Sequence, residues 1–424
     1  MKVIVALITA CALVVLSAGM ARADELSDLK KQLELLQQKL EALEKQQAEQ
    51  AKEVKKVSGL SKSVESLKKQ PSAKDVVADA LGKQTTIGGH FRLFLADYAT
   101  GERNGNDTHN SVSAGVSDLW LYFNKKMNNW LQFTVAPRIG VTASATPRLG
   151  SYLTRQSSAE VGITLDEAYM NVQLPSPFDV QIKAGAIYPM FSEDYAAQNW
   201  WHEQYHGNNG LMRLQAWRST GLELYRNFDF DSFSMPVYFY PYINRSDWSF
   251  NQPLTDNNSS KDVLIHVAPE FFLFGGRVKL LGSFGMGKWD DAGEYESRHW
   301  LGGLDLVYGS LTLTGEYMER WRENLALTGG GKEDGEDKGW YIRANYSITP
   351  EWRVLVKYSD VDLYKAGSSS LLTDNYKTLS VALNIWLASG STLIPQLELV
   401  DAERSDASEK LEYLRYTLGW RTTF

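Results

Sequence analysis

The tightest grouping of metal-ligating side chains in the sequence consists of His202, Glu203 and His206. Two histidines four residues apart share one face of a helix, where they can bind a zinc ion together with a carboxylate. The grouping falls in a long connection between two predicted strands, however, and an ordinary polar loop is the simpler explanation. We therefore predict neither a metal site nor a cofactor.

A second acidic group lies at Asp334, Glu336 and Asp337, just after the glycines at 329–331. It resembles a calcium-binding loop in composition only, because the spacing of its carboxylates does not match an EF-hand. A solvated loop is predicted instead. The sequence also contains no G-x-S-x-G or Walker A motif, the patterns that place a nucleophile or a phosphate cradle. We predict that the chain is not an enzyme.

Residues 1–23 have the pattern of a secretory signal peptide. Lys2 supplies a positive charge, residues 3–19 are mostly apolar, and residues 21–23 read Ala-Arg-Ala, an A-x-A cleavage site. A transmembrane anchor and a lipoprotein signal at Cys11 are the alternatives. Cys11 is the only cysteine, so the chain after cleavage has no thiol for a disulfide, a thiolate metal site or covalently attached haem.

Residues 24–70 contain no aromatic residue and are rich in Leu, Lys, Glu and Gln. Leucines recur at alternating spacings of three and four, which is the heptad pattern of a coiled coil: Leu26, Leu29, Leu33, Leu36, Leu40 and Leu43. The alternative is an amphipathic helix packed on a globular domain, but the apolar stripe is narrow. We predict a coiled coil at 24–70, which ends before Pro71, and a linker at 71–84.

From residue 85 to residue 424 the apolar period changes to two. A clear example is Leu131, Phe133 and Val135, which alternate with Gln132 and Thr134. The apolar side of such strands can face a protein core or lipid. The chain has 13 Trp, 21 Tyr and 16 Phe and a mean hydropathy of -0.32, a mixture that suits a membrane barrel with aromatic girdles.

The turns favour the barrel. Short turns, such as 175–177, alternate with long polar loops, such as 104–110 and 329–338. An even number of antiparallel strands with this alternation is typical of outer-membrane barrels and places both termini on the periplasmic side. The predicted fold is an all-β transmembrane barrel of about sixteen antiparallel strands, preceded by an α-helical coiled coil. The predicted strands are 85–98, 115–126, 129–142, 160–174, 178–189, 217–227, 233–244, 261–274, 277–288, 299–308, 311–322, 338–348, 352–363, 375–387, 391–403 and 411–424.

Aromatic residues beside the short turns are predicted to form the periplasmic girdle, where their rings meet lipid headgroups. They are Trp130, Phe178, Phe228, Phe233, Tyr308, Trp352 and Trp386. The last predicted strand has Leu414, Tyr416, Leu418 and Trp420 on one face and ends at Phe424. An apolar last strand with a terminal Phe resembles the signal that the outer-membrane assembly machinery recognises.

Charged residues out of phase with the apolar face are predicted to point into the barrel, which at about sixteen strands is wide enough to enclose water. The basic candidates are Arg92, Arg138, Lys183, Lys279, Arg320, Arg343, Arg353, Lys357, Arg415 and Arg421, and the acidic ones are Glu167, Glu223, Glu270, Asp305, Glu316 and Glu398. The basic residues concentrate on the first and the later strands, so a transverse field and a mild anion preference are predicted. The alternative is that these charges only hydrate the wall.

Two stretches resemble the phosphate-selective porin O and P family. The first comprises 165–169 and 183–193, the latter with the pattern G-x-x-x-P-x-x-x-E, and the second is the late hairpin 338–362. The resemblance implies a sixteen-stranded homotrimer that passes anions. This chain departs from the family in its third external loop, which has Arg213 and several acids rather than several basic residues. Passage of anions or of small solutes in general is therefore expected, without phosphate specificity.

In general porins the third external loop folds into the pore and narrows it. The longest predicted connection here, 188–216, is the third external loop, so a constriction is predicted at this place. Its candidate residues are Glu193, Asp194, His202, Glu203, His206 and Arg213. A surface loop with ordinary polar residues is the alternative.

The predicted partners follow from this fold. They are outer-membrane lipid, further copies of the chain in a homotrimer, small solutes or anions, and, through the coiled coil, peptidoglycan or periplasmic proteins. The net charge of -7 and the lack of a basic block argue against nucleic acid. The alternative function is the barrel sheath of an outer-membrane cytochrome electron conduit, which would not conduct ions on its own.

Overall fold

The structure is a computed structural model that describes residues 85–104, 106–109, 113–141, 161–193, 214, 219–243, 261–273, 275–289, 293–367, 370–388, 390–406 and 408–424. The predicted signal peptide, coiled coil and linker lie outside these residues. The strands belong to one compact unit, Leu81–Phe424. Within the described ranges, no helix is both long and apolar enough to span a membrane.

Strands make up nearly all of the described chain. Their bounds are β1 Thr85–Arg103, β2 Asn106–His109, β3 Ser113–Lys126, β4 Leu131–Val141, β5 Val161–Gln173, β6 Gln181–Ile187, β7 Ser219–Asp229, β8 Phe233–Ile243, β9 Asp262–Val267, β10 Glu270–Leu273, β11 Gly276–Lys288, β12 Glu296–Tyr308, β13 Leu311–Ala326, β14 Lys332–Thr349, β15 Trp352–Ala366, β16 Leu371–Ala388, β17 Ser391–Arg404 and β18 Lys410–Thr423.

These segments form a closed barrel of sixteen antiparallel strands. Two of the sixteen are interrupted. Segments β2 and β3 pair with successive parts of β1, and β9 and β10 both lie between β8 and β11. The barrel closes where β1 pairs with β18. The predicted all-β barrel with about sixteen strands is confirmed.

The alternation in the sequence appears as an alternation of environments. On β14, Tyr341 and Arg343 are 1% and 4% exposed, whereas Ile342 between them is 56% exposed. Successive side chains of a strand point to opposite faces, so the exposed apolar residues lie on the outer surface and the buried polar ones on the inner face. Outward apolar and inward polar residues are the arrangement that a barrel in lipid requires.

The aromatic residues beside the short turns follow the prediction with one exception. Trp130, Phe178, Tyr308 and Trp352 are all strongly exposed on the outer surface. The predicted girdle position of Trp386 is wrong. Trp386 is paired with Thr392, an inward residue that is 1% exposed, so the indole lies on the inner face.

The predicted loop at 329–338 is largely a strand. The connection after β13 is confined to residues 327–331, and β14 begins at Lys332. Positive φ angles at Gly330 and Gly331 close the turn, a conformation that glycine adopts without strain. Residues 332–337 have the composition of a loop, but they are paired with β13, from Asp337 opposite Arg320 to Lys332 opposite Ala326.

The seam of the barrel depends on a close contact between its two ends. The backbone N–H of Gly89 donates to the carbonyl of Phe424, and the N–H of Phe424 donates to the carbonyl of Gly89, both at 3.0 Å. A Cβ at position 89 would lie 2.3 Å from the carbonyl oxygen of Trp120 and 2.8 Å from the Phe424 ring. Only glycine fits at this point of the seam.

Candidate functional site

The chain turns into the barrel directly after β6. The backbone N–H of Met190 donates to the hydroxyl of Tyr240 on β8 at 2.7 Å, and that hydroxyl donates to Glu223 Oε2 at 2.8 Å. Tyr240 and Glu223 are 0% and 2% exposed. The hydroxyl of Tyr240 therefore joins the first residues of the third external loop to the inner wall.

The next residue, Phe191, binds farther around the wall. Its carbonyl accepts a hydrogen bond from Ser283 Oγ on β11 at 2.5 Å. Ser283 Oγ is also 2.7 Å from His266 Nδ1, and the Phe191 ring meets His299 on β12 edge-on, with 6.2 Å between centroids. The chain thus passes strands that are not neighbours of β6, which is possible only through the interior of the barrel.

The farthest contact is with β13. The carboxylate of Glu316 accepts hydrogen bonds from Ser192 Oγ at 2.6 Å and from the backbone N–H of Glu193 at 3.0 Å. The Glu193 carboxylate in turn pairs with Lys279 Nζ on β11 at 2.8 Å. Because charge-assisted bonds in a buried site are among the stronger ones, these contacts fasten the start of the loop to the wall.

An apolar surface on the wall surrounds these polar contacts. Phe191 and Leu214, the two described residues of the loop in this cluster, are each 2% exposed. We call the wall residues of this cluster the apolar seat, and they are Ile187, Tyr240, Leu264, Ala268, Leu281, Leu301, Met318, Tyr341, Val361 and Leu363. An apolar surface on the inner wall stays dry only when it is covered, so the seat and the loop residues stabilise each other.

The structure places one predicted constriction residue, Glu193, against the inner wall. Asp194, His202, Glu203, His206 and Arg213 lie outside the described residues. Tyr240, Ser283 and the role of Glu316 as a loop anchor were not predicted. Tyr238, Phe239 and Tyr240 follow one another in β8, so both faces of that strand carry aromatic rings. The sequence therefore does not show which of these side chains point into the barrel.

Five of the predicted inward cations lie together on the inner face of β1, β14, β15 and β18. They are Arg92, Arg343, Lys357, Arg415 and Arg421, with exposures of 2–8%. Like charges face each other in two places, because Arg343 is opposite Lys357 and Arg92 is opposite Arg421. Directly opposed like charges destabilise a strand pair, so a purely structural wall would avoid them. We call this group the basic sector.

The other predicted inward residues differ in burial. The buried ones are Arg320, Glu223, Asp305, Glu316 and Glu398, and the partly exposed ones are Arg138, Lys183, Lys279, Arg353, Glu167 and Glu270. Arg138 lies over the ring of Trp120, with 4.5 Å from Cζ to the centroid, and Arg353 lies over Trp386 at 5.1 Å. Lys183 forms an ion pair of 2.9 Å with Glu223. Glu167 is half-buried on β5, opposite Ala136 of β4. All of the predicted inward residues that the structure describes are thus on the inner face.

Several carboxylates away from the basic sector have basic partners. Besides the pairs Lys183–Glu223 and Lys279–Glu193, Asp305 binds Arg277 at 2.9 Å. Arg277 was not predicted as an inward cation. It is the second residue of β11 and directly follows the glycines of the turn, so the alternation that assigns a residue to the inner face has not yet begun there. Paired charges of opposite sign cancel beyond a short distance, so these carboxylates contribute less to the field than their charges alone suggest.

The acidic group after the glycines has a structural explanation. Asp337 is 1% exposed and accepts hydrogen bonds from Arg320 Nε at 2.8 Å and Arg322 Nη2 at 3.3 Å. Asp334 accepts from the backbone N–H of Asn324 at 2.9 Å. In the part of the chain that the structure describes, no group of three His, Cys, Asp or Glu side chains is placed to hold a metal ion.

No protein-family model matches the sequence, and no curated protein matches it. Solved structures do share its fold. The barrel is similar to Pseudomonas putida OprB in a high-pH structure (TM-score 0.52, 10% identity, 83% of this chain and 96% of that chain). It is also similar to an anion-selective porin from Comamonas acidovorans (TM-score 0.51, 11% identity, 80% and 99%) and to Salmonella typhi OmpF in complex with daunomycin (TM-score 0.51, 11% identity, 80% and 97%). The chain has the sixteen-stranded barrel fold of porins.

Proposed function

We propose that the chain is an outer-membrane porin, a water-filled channel for passive diffusion of small solutes or ions. The observation that carries this proposal is the inward turn of residues 190–193 onto the far wall. A sixteen-stranded barrel leaves room for an aqueous channel, and chain that is fastened to the inner wall at residues 190–193 narrows that channel. The porin-like fold supports the same conclusion.

The loop is the proposed constriction, and its removal tests the function directly. Deleting residues 193–210 should markedly raise the single-channel conductance of the purified protein in planar bilayers. Deleting residues 246–258 from the connection 244–260, which follows β8, is the control and should change conductance little. Equal conductance of the wild type and the 193–210 deletion would contradict the constriction role, and absence of any conductance would contradict the porin function.

Within the porin function, we propose a mild anion preference. The basic sector places Arg343 opposite Lys357 and Arg92 opposite Arg421, while Glu398 of the neighbouring strand β17 is opposite Arg415. Cations therefore predominate in this sector. The sector is buried, but charges in a low-dielectric wall are weakly screened and act on ions in the channel through space. Reversal potentials in a potassium chloride gradient measure the preference, and a cation-selective channel would contradict it.

The remaining assignments complete the proposal. Export through residues 1–23, a periplasmic coiled coil at 24–70 with peptidoglycan or periplasmic proteins as partners, and a homotrimer in the outer membrane all follow from the sequence and from the family resemblance. Cross-linking of the purified protein tests the trimer. The cytochrome sheath is disfavoured, because a polypeptide fastened between β6 and β13 would obstruct an occupant of the barrel.

A further inference from the structure

Amide and tyrosine side chains form a neutral band on the inner face, near the short-turn ends of β3 to β8. We call it the amide–tyrosine band, and its residues are Asn124, Gln132, Asn171, Gln181, Tyr225 and Tyr238, each partly exposed. Strand pairing places Gln132 opposite Asn171, Gln181 opposite Tyr225, and Tyr225 opposite Tyr238. Between Asn171 and Gln181 the link is a side-chain hydrogen bond, because Asn171 is itself opposite Lys183.

The amides are held in defined orientations. Asn124 Oδ1 accepts a hydrogen bond from Gln132 Nε2 at 3.3 Å and from Thr134 Oγ1 at 2.8 Å. Asn171 Oδ1 accepts from Gln181 Nε2 at 2.9 Å. A side-chain amide has two donor hydrogens and two acceptor lone pairs, so these bonds fix each group and use only part of its capacity. The band can therefore both donate to and accept from a solute.

The tyrosines give the band an aromatic end. The rings of Tyr225 and Tyr238 lie 4.5 Å apart with 35° between their planes. Of the charges beside the band, Lys183 and Glu223 form the pair described above, and Lys126 is opposite Gln132 at the end of β3. The band thus combines oriented amides with half-exposed aromatic rings and has no net charge, which sets it apart from the basic sector.

We propose that the amide–tyrosine band is a binding site for neutral polyhydroxylated solutes, that is, sugars and short oligosaccharides. Neighbouring hydroxyl groups of a sugar donate and accept at once, as amides do, and the apolar C–H face of a sugar ring packs against an aromatic ring. Selective pockets combine apolar and aromatic surface with a few oriented polar groups in this way. The proposal goes beyond the porin function and does not depend on the anion preference.

The test uses the purified full-length protein in planar bilayers, with maltotriose as the probe. We expect saturable interruptions of the ion current by maltotriose, whereas polyethylene glycol of the same hydrodynamic size should lower the current without saturation. The double variant Tyr225→Ala/Tyr238→Ala should weaken the apparent affinity by about tenfold or more. The matched control is Tyr358→Ala/Tyr416→Ala, which removes two tyrosines from the outer surface, where they are 37% and 49% exposed.

The outcomes separate the band from the porin function. A channel that conducts but shows no maltotriose interruptions, or the same interruptions in both double variants, would overturn the band and leave the porin function intact. If the protein does not conduct, calorimetric titration of maltotriose into the detergent-solubilised protein tests whether the band binds the sugar. Binding that is lost in Tyr225→Ala/Tyr238→Ala supports the band, and no binding overturns it. Circular dichroism checks that both double variants fold.

Discussion

Two parts of the inner wall of the barrel differ in the charged residues that they place next to each other. On the wall that holds the loop, carboxylates pair with cations at short range, as in Lys183–Glu223 and Lys279–Glu193 at 2.9 and 2.8 Å. On the basic sector, Arg343 stands opposite Lys357 and Arg92 opposite Arg421. Paired opposite charges stabilise a wall, and their electrostatic potential is small a few ångströms away. Like charges placed opposite each other destabilise the wall but produce an electrostatic potential that reaches ions in the channel. In the proposed function, the first wall would fasten the constriction and the second would select ions.

The largest expected effect comes from reversing the basic sector. The double variant Arg343→Glu/Lys357→Glu replaces two positive charges by two negative ones, so the channel should change from anion to cation preference. Reversal potentials in a salt gradient measure the change. The control is Arg298→Glu/Lys338→Glu, which makes the same net change at positions that are highly exposed. If both variants shift the reversal potential equally, the basic sector has no special role.

A smaller effect is expected on the wall that holds the loop. Glu316→Gln removes the negative charge that accepts from Ser192 Oγ and the Glu193 N–H. A hydrogen bond to a charged group contributes about 1.5–3 kcal/mol, so the loop should detach for part of the time. Open-channel current noise should rise while ion selectivity stays near the wild-type value. Glu270→Gln, which alters a carboxylate that does not contact the loop residues described here, is the control, and equal noise in both variants would contradict the anchor.

The smallest effect is expected at the hydroxyl of Tyr240. Tyr240→Phe keeps the ring in the apolar seat but removes the bonds to Met190 and Glu223. The bond from the Met190 N–H is neutral and contributes about 0.5–1.5 kcal/mol, and the bond to the Glu223 carboxylate contributes about 1.5–3 kcal/mol. Thermal unfolding should therefore occur at a lower temperature, with conductance nearly unchanged. Tyr346→Phe on the outer surface, 53% exposed, should leave the unfolding temperature unchanged. A large change of conductance in Tyr240→Phe would mean that the loop has no other effective anchor.

Where one face of a strand contacts lipid and the other is polar, the sequence predicts the strand well. The last strand was predicted at 411–424 and is observed at Lys410–Thr423, because Leu414, Tyr416, Leu418 and Trp420 mark one face throughout. Residues 332–337 were predicted as loop, since Gly, Asp, Glu and Lys dominate there. Strand pairing with β13 and the ion pairs of Asp337 with Arg320 and Arg322 stabilise them as strand, and neither is visible in a local pattern.

The apolar seat was hidden for a different reason. Leu280 is 47% exposed on the outer surface, and the next residue, Leu281, is 5% exposed on the inner face. Behind the loop the wall is apolar on both faces, so the alternation disappears on β11. In a barrel sequence, two consecutive apolar residues at mid-strand therefore indicate a wall that an inward loop covers. The polar contacts of the loop with β11 and β13 could not be predicted, since they join residues 86 to 124 positions apart.

The backbone hydrogen bonds between Gly89 and Phe424 lie where β1 pairs with β18, so the barrel can close only when β18 is present. A product that stops before the last strand keeps two sheet edges with exposed backbone donors and acceptors, on β1 and on β17. Such edges pair readily with other strands. A protein shortened by a translation error should therefore form open sheets that aggregate through their edges before they insert into the membrane. It should not form open channels that permeabilise the membrane.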